Sequence, residues 1–223
     1  MCGRFSLTKE ELELEKRFNA KFYSNDLVKR YNVAPSQLAL VLTDEKPHEF
    51  QFYKWGLIPS WASEPAIGYK MINARSETIT EKPAFKNLFR KKRCMVISDG
   101  FYEWKQLTSK QKQPYRIGLK NDELFAFAGL WDSWTDKQTG EIIPTVTIIT
   151  VHANTLVNSI HERMPVILKQ ENEMDWLNKS TDEKTLLNLL SPYPENEMKA
   201  YPVSGQVNSP KNDTAELIVE VPL

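Results

Sequence analysis

Cysteine, histidine and glycine are scarce in this chain: two, three and eight residues among 223. Two cysteines, Cys2 and Cys94, allow at most one disulfide, and no CxxC pair accompanies them; with three histidines, this argues against a metal site. No metal and no cofactor is expected. Long apolar runs are lacking too, none approaching the roughly 18 residues of a membrane span, and the N-terminus does not follow the basic-then-apolar layout of a secretory signal. A cytoplasmic protein with reduced thiols and no membrane partner is the expectation. Net charge is also missing, 29 basic groups balancing 29 acidic ones, so global charge names no partner. Repeats, low-complexity tracts and Pro/Gly/Ser linkers are absent, and the chain reads as a single domain over residues 1–223, large enough to bury a core without staples.

Local charge says more. The segment "KPAFKNLFRKKR", Lys82 to Arg93, carries six basic residues and no acid, with Phe85 and Phe89 four apart. Two readings fit: a helix that docks phosphates, or a solvated basic face with two aromatics turned into the core. From Glu171 to Lys199 acids outnumber bases seven to three, which places an anionic ligand nearer the first half. Thr8 to Asn19 reads as a helix with Thr8 and Glu11 at capping-box spacing. "LALVL", "FQFYKWGL", "CMVIS", "PYRIGL", "LFAFAGLWD" and "TVTIIT" read as strands, and helices return at Ala153–Ile160, Glu171–Asn178 and Asp182–Leu190. Strands and helices do not alternate regularly, so a parallel layout is disfavoured. The expected class is α+β, a mainly antiparallel, barrel-like sheet flanked by helices.

Several stretches place polar groups at the edges of these strands, where a scaffold presents chemistry. In "NARSET", Asn73 and Arg75 flank Ala74 and point the same way if extended, a neutral hydrogen-bonding group beside a cation; an Asn turn with a surface Arg fits equally. In "GFYEWK", Glu103 stands between Tyr102 and Trp104, a setting that raises a carboxyl pKa toward the range of proton transfer, unless the strand turns it to water. In "IHERMP", His161 follows an apolar helix end; a lone histidine is more often structural, but a cysteine at position two invites a pairing.

"MCGR", "NAR" followed by Glu77, "GFYEWK" and "IHERMP", in this order, resemble the motifs of the SOS-response-associated peptidase (SRAP) family. The resemblance runs from Cys2 to "RMPVIL", while the part after about residue 170 is less diagnostic. It implies the family's α+β fold and the shielding of abasic sites in single-stranded DNA by a monomer, held on the nucleoid when bound.

The chemistry centres on Cys2. Once Met1 is removed, that residue carries an α-amine and a thiol on adjacent carbons. The amine, with an ordinary pKa of about 7.7–8.0, forms an imine with the open aldehyde of an abasic sugar. The thiol then closes a thiazolidine, an intramolecular step favoured by proximity, and strand-cleaving elimination is left as a weak lyase side reaction. By resemblance, Asn73 orients the reacting groups, Glu103 positions the amine and moves protons, and His161 exchanges a proton with the sugar ring oxygen. Arg4, Arg75 and Arg163 are candidate phosphate contacts. Trp61 is a candidate stacking or wedge residue, with Ala62 where a second aromatic could stand, and Pro35 and Ser36 line the pocket. Two alternatives stay open: a thiol peptidase pairing Cys2 with His161, and a non-covalent reader of single-stranded or modified DNA.

Overall fold

Strand pairing closes part of this chain into a ring. The structure, a computed structural model, describes residues 2–23 and 27–222; the expected loss of Met1 lies outside the described residues. The described strands are β1 (Phe5–Leu7), β2 (Arg30–Val33), β3 (Leu38–Thr43), β4 (Gln51–Trp55), β5 (Asn73–Arg75), β6 (Arg93–Ser98), β7 (Gly100–Gln106), β8 (Lys112–Leu119), β9 (Phe125–Thr135), β10 (Ile142–His152), β11 (Arg163–Pro165), β12 (Ile167–Leu168) and β13 (Met198–Pro202). The order β10-β4-β3-β6-β9 returns to β10, closing five strands into a barrel in which only the β4–β10 contact is parallel. β5, β11 and β12 extend this eight-stranded sheet, and a second sheet runs β13-β8-β7-β1-β2. The class is α+β, with a barrel-like, mainly antiparallel sheet and few helices.

The long β9–β10 hairpin is the spine, in register from Gly129 opposite Ile148 to Thr135 opposite Ile142. Its loop is closed by Asp136, whose carboxylate accepts from the amides of Gln138 and Thr139, and by Gly140 at φ +75°, a conformation glycine adopts without strain. β6 is buried along its whole length, which explains its nearly unbroken apolar run: a barrel strand covered on both faces does not alternate. Phe5, Trp55, Phe101, Phe125 and Phe127 form a chain of edge-on and tilted ring contacts that ties β1 and β7 of the second sheet to the barrel.

Among the described residues five α-helices flank the sheets: α1 (Glu11–Phe18), α2 (Lys86–Lys91), α3 (Thr155–Asn158), α4 (Glu173–Leu177) and α5 (Glu183–Leu189). The first begins later than expected. Glu10, not Thr8, forms the capping box, with Glu13; the Thr8 amide and hydroxyl instead donate to Asp99 at 2.7 and 2.6 Å. A tertiary carboxylate has taken the threonine from its local partner. Ala153–Ile160 shortens to α3, capped by Asn154, whose side chain accepts from the Val157 amide.

The basic segment from Lys82 to Arg93 resolves toward the bland alternative. Phe85 and Phe89 are buried, each burial contributing roughly 1.5–3 kcal/mol. Arg90 pairs with Glu183 and Lys92 with Asp132. Arg93, fully buried, donates to the carbonyls of Phe89, Arg90, Trp176 and Asn178, closing the C-terminal ends of α2 and α4.

Candidate functional site

Cys2 lies just ahead of β1, whose course is set by a buried polar anchor. Asp99 accepts from the Ser6 hydroxyl at 2.6 Å and from Arg116 at 3.1 Å, and holds Thr8 from its other oxygen. This fixes β1 against β7, with Phe5 opposite Phe101, and the Tyr102 amide donates to the Arg4 carbonyl at 2.9 Å. Continued by two residues, that register sets Gly3 across from Glu103. The Cys2 thiol, next to Gly3 in sequence, lies within electrostatic reach of the Glu103 carboxylate.

Both groups are buried, Cys2 at 0% exposure and Glu103 at 2%. Desolvation pushes the Cys2 thiol well up, and the nearby Glu103 charge pushes it further. Sγ makes a weak 3.9 Å contact to the Arg4 carbonyl. Burial also raises the Glu103 carboxyl from its ordinary 4.5 to about 7, which is where a group exchanging protons near neutral pH works best. The strand does not turn Glu103 to water: it is buried, at the edge of an open cleft.

The other two candidates come from the barrel sheet. The end of β10 pairs on one edge with β5, Ile148 opposite Asn73, and on the other with β11, His152 opposite Arg163. Asn73 and the residues leading into β11, His161 among them, thus flank one stretch of β10. Asn73 Nδ2 donates to the Ile72 carbonyl at 3.0 Å and approaches that of Ile148 at 3.5 Å. That orients the amide, and Oδ1 faces away, buried and without a hydrogen-bond partner among the described residues. A buried acceptor lacking a donor costs free energy and marks a place for one. His161, half-buried, has its pKa lowered chiefly by desolvation. Its Nδ1 accepts from the Arg163 amide at 3.0 Å. The Arg163 carbonyl also lies 3.3 Å from Nδ1, but an amide hydrogen aimed at Nδ1 assigns the ring proton to Nε2.

Glu103 and His161 line one open cleft of about 730 Å³, with Trp104, Lys110, Lys112 and Asn208 among its walls. Second-sheet and barrel residues therefore meet across it. Among the described residues no group of three His, Cys, Asp or Glu side chains is placed to hold a metal ion.

The expected DNA contacts are distributed unevenly. Arg75 is exposed, and its side chain makes no ion pair or hydrogen bond among the described residues. Arg4 is half-buried and committed to neutral acceptors: its Nη1 donates to Asn32 Oδ1 and to the Val207 carbonyl, both at 2.8 Å. It pins the N-terminus to the C-terminal tail. Arg163 departs from the expectation of an open phosphate contact, since it is 5% exposed and its fork meets the Glu77 carboxylate at 2.5 and 3.0 Å, with the Thr150 carbonyl at 2.7 Å. A phosphate would have to displace Glu77. Trp61 is 64% exposed, whereas Ala62 is buried against Ile58 and Trp134, so one aromatic stands alone here. Pro35 and Ser36 form the turn between β2 and β3; Ser36, at φ +73°, borders a separate cavity of about 190 Å³ with Lys54 and Tyr69.

Three participants escaped sequence reasoning. Asn32 is fully buried; its amide donates to the carbonyls of Ser209 and Asn212, while its oxygen takes Arg4. The only hint was its place in the polar stretch "YNVAPSQ". Asn208 accepts from Trp104 Nε1 at 2.6 Å and sits in the tail that carried no motif. Glu77 had been a motif letter without a role.

A family model described as SOS response associated peptidase (SRAP) matches residues 1–210. The chain belongs to the SRAP family. Its match includes the tail segment bearing Val207 and Asn208, so this SRAP domain extends past its last recognisable motif. Among its relatives, abasic site processing protein YoqW of Bacillus subtilis (strain 168) is 49% identical, covering 98% of this chain and 99% of that protein. Abasic site processing protein HMCES of Xenopus tropicalis is 35% identical, over 86% of this chain and 66% of that protein. A crystal structure of a protein from Bacteroides thetaiotaomicron superposes with a TM-score of 0.90 at 33% identity, covering 99% and 100% of the two chains. Among the described residues no helix of this SRAP protein is long and apolar enough to cross a membrane.

Proposed function

We propose that this chain processes abasic sites in single-stranded DNA by capturing them covalently through Cys2, as a monomer and without a cofactor. The observation that carries the reading is the placement of a proton-exchanging carboxyl, Glu103 at a pKa of about 7, beside a cysteine at position two. The relatives' names supply the substrate class.

After Met1 is removed, the neutral α-amine of Cys2 adds to the C1 aldehyde of the open abasic sugar. Water leaves and an imine forms. The Cys2 thiol adds across the C=N bond, sulfur to carbon and proton to nitrogen, closing a five-membered thiazolidine. Glu103 takes the proton that the nitrogen sheds once it has added to the aldehyde, and returns one to the departing hydroxyl. His161, hydrogen-bonding from Nε2 to the ring oxygen of the closed sugar, passes it a proton as the C1–O ring bond breaks. The C1 hydroxyl releases its proton to solvent, from which Nε2 is reprotonated, and the product is the open aldehyde. Asn73 Oδ1 accepts from the amine or a sugar hydroxyl. The raised thiol pKa suits this order: the amine attacks first and sulfur enters as a thiol that brings its own proton. The same raised pKa disfavours a thiolate peptidase, which needs the charged sulfur.

Intact-mass analysis after incubation with abasic single-stranded DNA tests the reading. The expected product is protein minus Met1 plus DNA minus one water, formed by wild type and not by Cys2→Ala. Equal adduct from both would overturn it.

A further inference from the structure

The cleft that holds Glu103 and His161 has a wall that the capture chemistry leaves unused. The hairpin joining β7 and β8, "KQLTSKQKQ" from Lys105 to Gln113, carries three lysines and no acid. Gln106 pairs in register with Lys112 and Trp104 with Pro114, so Trp104, Gln106 and Lys112 share one face by strand alternation, and all three line the cleft with Lys110. The tip is ordered by its own hydrogen bonds: the amides of Leu107 and Thr108 donate to the Gln111 carbonyl at 3.0 and 3.2 Å, and Gln111 donates back to Thr108. Lys110 and Lys112 are exposed and make no ion pair among the described residues, unlike Lys46 and Lys179, which pair with Glu49 and Glu45. Lys112 is also near enough to lower the pKa of both Glu103 and His161.

Two of the cations expected to meet DNA are already engaged within the protein, Arg163 by Glu77 and Arg4 by Asn32 and the tail. We propose that the β7–β8 hairpin is a phosphate-docking arm, in which Lys110 and Lys112 bind backbone phosphates of the strand next to the sugar held at Cys2. This rests on the reading of Cys2 as the covalent anchor and adds where the flanking strand lies. A short ordered arm of unpaired ammonium groups fits a flexible single strand, because point charges accept phosphates without fixed orientation. Gln106 and Gln111 add neutral donors for phosphate or base edges.

The test is the Lys110→Ala/Lys112→Ala double variant, with Lys46→Ala/Lys179→Ala as an equal change of charge elsewhere. Non-covalent binding to single-stranded DNA carrying a tetrahydrofuran abasic analogue, which has no aldehyde, is measured from low to high salt. The arm variant should lower the slope of log K against log salt by about 1.4, two contacts at about 0.7 each, and the control variant should leave it unchanged. A second arm of the experiment uses free 2-deoxyribose, which has no phosphate. The final extent of adduct on Cys2, read by intact mass after long incubation and not as a rate because Lys112 acts electrostatically on Glu103 and His161, should be equal in wild type and the arm variant. An unaltered slope, or an equal loss in the control, would overturn the docking arm. Failure of wild type itself to take 2-deoxyribose or abasic DNA would instead overturn the capture chemistry and leave the salt result to judge the arm separately.

Discussion

The amide of Arg163 donates to Nδ1 of His161 over 3.0 Å, while the side chain of the same arginine is clamped by Glu77. The shorter amide contact, 3.0 Å against 3.3 Å to the Arg163 carbonyl, favours the Nε2–H tautomer of the histidine. A neutral histidine with its proton on Nε2 is a donor toward the cleft, not a base. Nitrogen NMR of ring-labelled protein should report the Nε2–H tautomer at neutral pH; an Nδ1–H signature would refute this assignment.

His161→Ala should slow capture by something on the order of 10² to 10⁴, the range of a general acid, with the same final adduct. Release should slow as well, because ring closure uses the same proton in reverse. A substrate presenting an open aldehyde should restore most of the forward rate. Single-turnover gels with both substrates check this, and no adduct even with the open aldehyde would move His161 into direct service of the Cys2 thiol.

Cys2→Ser should give at most a labile adduct, since an oxazolidine hydrolyses more readily than its sulfur analogue. A residue left ahead of Cys2 should abolish stable capture while sparing the fold. Circular dichroism and mass spectrometry of a tagged form read both. Efficient crosslinking by a protein with a blocked amine would eliminate the imine step.

Glu103→Gln should separate stability from chemistry. The carboxyl lies at about 7 when folded against an ordinary 4.5, so below pH 4.5 it is protonated in both states and costs nothing. Between 4.5 and 7 the unfolded chain ionises first, folding loses stability as pH rises, and above 7 the full cost remains. The amide should therefore raise stability at pH 8, by up to something on the order of 3 kcal/mol, while capture slows. Thermal melts at pH 4 and pH 8 would show a gain confined to the higher pH; an equal gain at both would contradict the raised carboxyl.

Glu77→Ala leaves the buried Arg163 charge with only the carbonyl and hydroxyl of Thr150. Glu77 is 40% exposed, and solvent screening discounts the pair, so a loss of about 1–3 kcal/mol is expected. Arg75→Ala should leave stability untouched and lower the salt slope of single-strand binding by about 0.7. Denaturant melts and salt titrations of both variants distinguish the two arginines, and a reversed pattern would exchange their roles.

Much was already determined by the amino-acid sequence. Cys2, Asn73, Glu103 and His161 are candidates because each stands in a motif legible in the sequence, and the β6, β8, β9 and β10 strands declare themselves by short apolar or alternating runs. Only the tertiary structure decided the rest. Thr8 has the spacing of a cap, but Asp99 arrives from 91 residues away and takes it. Arg163 has the chemistry of a phosphate contact, but Glu77 arrives from 86 residues away and occupies its fork. Arg4 has the same chemistry, yet Asn32 and the tail near Val207 hold it. Spacing along a chain reports local partners, whereas a charged or hydroxyl group pairs with whichever complementary group the fold brings within about 3 Å, and that choice belongs to long-range packing.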